Sequence, residues 1–151
     1  MSLMRIIRVI LVFFLFGPFL APLLNAQESG DYFGNQYFKQ SVEYLISGDY
    51  DNAIVYSSRV LARDPNSAIA YTVRARAYFE KGAYSNAVYD CGQAIRRDNN
   101  NVSAYSIRAN AFAKMGDLAK AIADWQSVLK INPENINALK NIELATTVAN
   151  Q

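Results

Sequence analysis

The sequence contains no histidine and a single cysteine, Cys91. The side chain that most often serves as a general base near neutral pH, and as a zinc ligand, is therefore missing. One cysteine closes no internal disulfide, so stability has to come from packing. There is no glycine-rich loop with a lysine to cradle a phosphate. The acidic residues are scattered, with no pair placed to face one cleft as glycoside chemistry requires. These absences leave no constellation for catalysis, and the expectation is a non-enzymatic protein without cofactor or metal.

Acidic residues are also absent from the start of the chain. MSLMRIIR carries two arginines, VILVFFLFGPFLAPLLNA is almost wholly apolar, and the first charge after Arg8 is Glu28. A basic start, an apolar run and a small final residue describe an export signal over residues 1–26, with Ala26 the last residue removed. The other reading is an uncleaved membrane anchor over residues 6–24. Residues 9–24 are short for a spanning helix, which needs roughly 20 apolar residues. Gly17, Pro18 and Pro22 also interrupt the run, which favours the signal. The expected location is thus periplasmic, secreted or lumenal. Without Arg5 and Arg8, the chain has 13 basic residues against 13 acidic ones. The basic balance belongs to the targeting segment, and it gives no case for a nucleic-acid partner. Membrane contact is expected only through residues 1–26, if they are retained.

What the chain does have is an internal period. GDYDNAIVYSSRVLARDPNS at 48 is matched by GAYSNAVYDCGQAIRRDNNN at 82 and GDLAKAIADWQSVLKINPEN at 116, a step of 34 residues both times. The upstream halves GNQYFKQSVEYLIS, AIAYTVRARAYFEK and VSAYSIRANAFAKM keep the same register. Tyr37, Tyr71 and Tyr105 coincide, as do Tyr44, Tyr78 and Phe112, and Ala53, Ala87 and Ala121. Small and aromatic residues recur three and four apart, so each unit reads as two amphipathic helices. Gly48, Gly82 and Gly116 end the first helix of each pair. Pro65 and Pro133 stop the second. Asn99 stands where the second proline would be, so Asp98 to Asn101 is expected to be the loosest junction. Asp49 and Asp51 raise the question of an acidic cation loop. The second copy has Ala83 and Ser85 there, and the third Asp117 and Ala119. The frame survives while the carboxylates do not, so Asp49 is read as the start of a helix.

This pattern resembles the tetratricopeptide repeat, on the aromatic at 37/71/105, the glycine at 48/82/116, the alanine at 53/87/121 and the proline at 65/133. The resemblance implies an all-α solenoid with three helix-turn-helix repeats at 34–67, 68–101 and 102–135. A linker over 27–33 precedes them, and a capping helix over 136–151 follows, covering the last apolar face. Where the family often has leucine at the seventh position, this chain has Gln40, Arg74 and Arg108. Further on, the second helices hold Tyr56, Asp90 and Asp124. Repeat one lacks both charges, so Arg74 and Arg108 are expected to pair with the two aspartates. Cys91 is expected as a small buried residue, with an intermolecular disulfide as the alternative. Asn101-Val102-Ser103 forms a glycosylation sequon in what reads as an exposed junction.

Family members bind peptides or partner helices on the concave surface. Carried over, its lining is Phe38, Val42, Leu45 and Ile46 in repeat one. Repeat two supplies Thr72, Arg76, Phe79 and Glu80, repeat three Asn110 and Lys114, and the capping helix adds Asn137, Lys140 and Leu144. The expected gradient runs from an apolar N-terminal end, with Phe79 beside it, to a small and polar C-terminal end. An exposed apolar patch of this kind marks an interface. It would hold a protein or peptide partner, a second copy in a homodimer, or the chain's own residues 27–33. Members that clamp acidic chaperone tails use lysines and asparagines, where this chain has Phe38, Val42, Val73, Ser103 and Ile107. The clamp is absent. The resemblance therefore implies an adaptor or assembly factor, with a structural homo-oligomer as the alternative.

Overall fold

The computed structural model describes the backbone of residues 21–149 and the side chains of residues 34–149. The expected signal over 1–26, and the alternative anchor over 6–24, lie for the most part outside the described residues. The chain divides between Gln36 and Tyr37 into two compact units. In the first, the backbone is helical from Ala21 onward. Residues 27–33, expected as a linker before the repeats, lie within α1 (Ala21–Ser47). No described helix is long and apolar enough to cross a membrane.

The second unit holds the end of α1 and six further helices. They are α2 (Tyr50–Arg63), α3 (Ala68–Glu80), α4 (Tyr84–Arg97), α5 (Val102–Lys114), α6 (Leu118–Ile131) and α7 (Ile136–Ala149). From α2 onward each helix packs on the next, and α3 also touches α5. Gly48, Gly82 and Gly116 have φ of 81°, 78° and 83°, the left-handed conformation that turns the chain out of each first helix. Asp49 does begin a helix: its carboxylate accepts from Asn52 N at 3.1 Å. Asp117 accepts from Lys120 N at 3.2 Å in the same position of repeat three.

The junction at Asp98 is built like the other two. Asp64, Asp98 and Asn132 each accept from the backbone N–H two residues on, at 2.9, 3.0 and 3.2 Å. Ser67, Asn101 and Asn135 then cap the following helix. Asn99 in place of proline removes none of these bonds, so the expected loosening has no counterpart in the hydrogen bonding.

The core is made of small residues. Ala53, Ala87 and Ala121 are wholly buried, as are Ala70, Ala75, Ala77, Ala104, Ala109 and Ala111. Side chains this short let helix backbones approach closely and pack at interior density. Repeat one has Ser41 and Ser57 at such points, and each hydroxyl donates to its own helix, to Phe38 O and Ala53 O. Over the last repeat, α7 packs Ala138, Ile142 and Ala145 against Trp125 and Val128.

The paired charges meet within repeats. Arg74 Nε and Nη2 donate to Asp90 at 2.7 and 2.8 Å, and Arg108 makes the same fork to Asp124 at 2.8 and 2.7 Å. Each fork ties the first helix of a repeat to the second and holds the guanidinium in its charged form. Arg74 Nη1 also reaches back to Ser58 Oγ at 3.0 Å, on α2. In repeat one the same space is filled by Tyr56, stacked on Tyr44 at 5.2 Å and tilted against Tyr37 at 6.0 Å.

Asp90→Ala leaves Arg74 without its carboxylate. It is expected to lower the unfolding free energy in urea by about 3 kcal/mol, the low end for a broken buried pair because Arg74 keeps 19% of its side chain exposed. Arg74→Gln with Asp90→Tyr copies repeat one and lets the new ring stack on Tyr78 and Tyr71. All but roughly 1 kcal/mol should return. A double variant no more stable than Asp90→Ala would refute interchangeable packing. The counterpart of Ser58 is Gly92, where a Cβ would lie 3.9 Å from Arg108 Nη1. Gly92→Ser has room and offers that nitrogen an acceptor, so it should raise stability by about 0.5 kcal/mol. A loss in the same titration would contradict this.

Candidate functional site

Three cavities lie in a row along the face formed by α3, α5 and α7. The first, about 510 Å³, opens between the starts of α3 and α5 and is lined by Ile69, Thr72, Asn101 and Ser103. The second, about 280 Å³, is lined by Leu45, Thr72, Arg76, Ser106 and Asn110. The third, about 460 Å³, is lined by Phe79, Asn110, Lys114, Leu118, Trp125, Leu144 and Val148. Thr72 belongs to the first two and Asn110 to the last two, so the cavities form one groove.

The expected lining residues divide into two groups. Leu45, Thr72, Arg76 and Asn110 come together in the middle cavity, and Phe79, Asn110 and Lys114 in the third. Phe38 instead packs against Val60, Leu61 and Ala70 in the core. Val42 is half-buried and Ile46 is 81% exposed. Glu80 pairs with Arg76 at 3.4 Å, one helical turn away. The C-terminal end, expected to be small and polar, is apolar. Leu144 and Val148 stand on α7 in the register of Asn110 and Lys114, and Trp125 reaches the same space from α6. The signal for Val148 was its place four residues after Leu144. Trp125 shares its register with Ser57 and Cys91, which read as interface positions, and nothing local distinguishes it.

Polar groups in the groove are fixed by named bonds. Asn110 Oδ1 accepts from Trp125 Nε1 at 3.3 Å. Asn101 caps α5 by accepting from Ala104 N at 2.9 Å, and its Nδ2 donates to Thr72 Oγ1 at 3.1 Å. The sequon asparagine is thus half-buried and engaged on both sides, not an open junction residue.

Cys91 is wholly buried among Ala75, Ala94, Ala104 and Ile107. Burial pushes its thiol up to about 12. The neutral thiol is present throughout the neutral range, which opposes the disulfide alternative. An aromatic disulfide reagent at pH 8 is expected to leave the native protein unmodified for hours and to react within minutes in denaturant. Rapid modification of the native protein would contradict the burial.

Family models for the tetratricopeptide repeat match residues 37–67 and 102–135, and a TPR repeat model matches residues 75–116. Among solved structures, the first TPR of Spaghetti (RPAP3) bound to an HSP90 peptide is 26% identical, with a TM-score of 0.76 over 78% of this chain and 94% of that one. The second TPR domain of the human RPAP3 protein, in complex with an HSP70 peptide, is 27% identical, with a TM-score of 0.74 over 78% and 98%. The crystal structure of MamA is 25% identical, with a TM-score of 0.76 over 78% and 68%. No curated protein matches the sequence. The chain carries tetratricopeptide repeats, and its fold is the all-α solenoid they build.

Proposed function

We propose that this protein is a non-catalytic adaptor or assembly factor that holds a segment of another protein in the groove along α3, α5 and α7. The observation that carries the reading is the continuity of the three cavities, from Ile69 at one end to Val148 at the other. Length and depth of this kind suit an extended segment or one face of a helix. Peptide binding by the RPAP3 domains supports the class of ligand. The ligand itself would differ. At the positions that clamp acidic chaperone tails this chain has Phe38, Val42, Val73, Ser103 and Ile107, of which Val73 and Ile107 are buried. The basic, apolar start of the chain supports export, or anchoring, as the route by which the groove meets its partner. Self-association through Phe38 is the weaker alternative, because that ring is engaged in its own core.

Affinity capture from the exported fraction tests the reading. Arg76 and Leu144 are exposed, so Arg76→Glu with Leu144→Asp should leave the helical content and melting temperature near those of the native protein. Recovery of the partner is expected to fall by about tenfold or more. Equal recovery with both proteins would sink the groove reading.

A further inference from the structure

The third cavity departs from the repeat pattern in two coupled ways. Asn141 occupies the register of Val73 and Ile107, which are buried and apolar in the repeats. Leu144 and Val148 occupy the register of Asn110 and Lys114, which are polar. On α7 an inner position has become polar while two groove positions have become apolar, and all three face the same space. Trp125, 5% exposed, and Ala145 lie deepest, with Phe79, Leu144 and Val148 around them. The polar lining is made of Asn110, Lys114 and Asn141. Asn110 Oδ1 is committed to Trp125, which leaves its Nδ2 as a donor. No carboxylate lines the cavity, and Lys114 has no ion pair among the described residues.

We propose that this cavity is the anchoring subsite of the groove, and that it takes one large apolar side chain of a partner segment with an Asp or Glu beside it. This rests on the groove reading above and names its ligand class. A space of about 460 Å³ admits a leucine-sized or aromatic side chain together with its backbone. The apolar walls supply burial. The Lys114 ammonium and the carboxamides of Asn110 and Asn141 present donors to the carboxylate, and the charge complementarity selects an acidic neighbour over a basic one.

Trp125 is the one tryptophan in the chain, so its indole resonance reports occupancy of this cavity. A random heptapeptide display library panned on the protein should enrich sequences that pair a large apolar residue with Asp or Glu. A synthetic copy of an enriched peptide is expected to shift the Trp125 indole signal. Changing its acid to the amide should weaken binding by about tenfold. Lys114→Gln in the protein should make the two peptides bind alike, and Leu144→Asp should abolish binding of both. Enriched peptides without an acid, or a preference that survives Lys114→Gln, would overturn the proposal. A peptide that moves the amides of Thr72 and Ser106 but leaves Trp125 silent would overturn the anchor while the groove reading stands. If nothing is enriched, or peptides leave α3, α5 and α7 unperturbed, both readings fail. A change of sedimentation coefficient with Leu144→Asp would assign the cavity to a second copy of this chain, and that too overturns the proposal.

Discussion

Two helix backbones come close only where the residues at the crossing are small. In this protein the crossing residue of each second helix is an alanine, Ala53, Ala87 or Ala121, and none has any exposed surface. Further wholly buried alanines on α3 and α5 carry the same constraint from one repeat to the next. The larger side chains are fitted around these contacts. A bulkier residue there would separate the helices and open every contact that depends on their spacing. Glu143 on α7 marks the contrast. It stands exposed where Ala75 and Ala109 are buried, on the side of α7 that carries no further described helix.

Small crossings leave volume between the helices to be filled, and the chain fills it in two ways. Repeats two and three use an Arg–Asp fork, and repeat one uses a tyrosine cluster. A half-buried ion pair adds little net stability over an apolar filling of the same shape, because desolvation offsets much of the attraction. What the fork adds is direction. Its planar geometry fixes the relative position of two helices, and Arg74 extends that hold to the preceding repeat through Ser58. Regular spacing of the helices is what allows three cavities to run together as one groove.

The fold was legible because its signal is repeated. Glycine, alanine and aromatic positions at a fixed step of 34 residues identify the turns and crossings, and even the forks could be read from Gln40 and Tyr56, which replace arginine and aspartate together at those two positions of repeat one. The site was less legible. Phe38 reads as a groove residue by register but lies half-buried against the core at Val60 and Leu61. The apolar C-terminal end depends on Trp125, Leu144 and Val148, which come from two different helices. Register within one repeat identifies a helix face, but not which residue of a neighbouring helix shares it. The continuation of α1 through residues 27–33 was hidden for a related reason: that stretch lies before the first repeat and has no second copy to compare with.

In the proposed function the face made by α3, α5 and α7, with Trp125 of α6 behind it, holds the partner segment, while α2 and α4 keep that face in shape. Hydrogen exchange of the backbone amides, with and without a bound partner segment, separates these roles. Added protection is expected to concentrate in α3, α5 and α7, strongest around Asn110, Lys114 and Leu144, with α2 and α4 little changed. Protection concentrated on α2 and α4, with the groove helices unaffected, would contradict it.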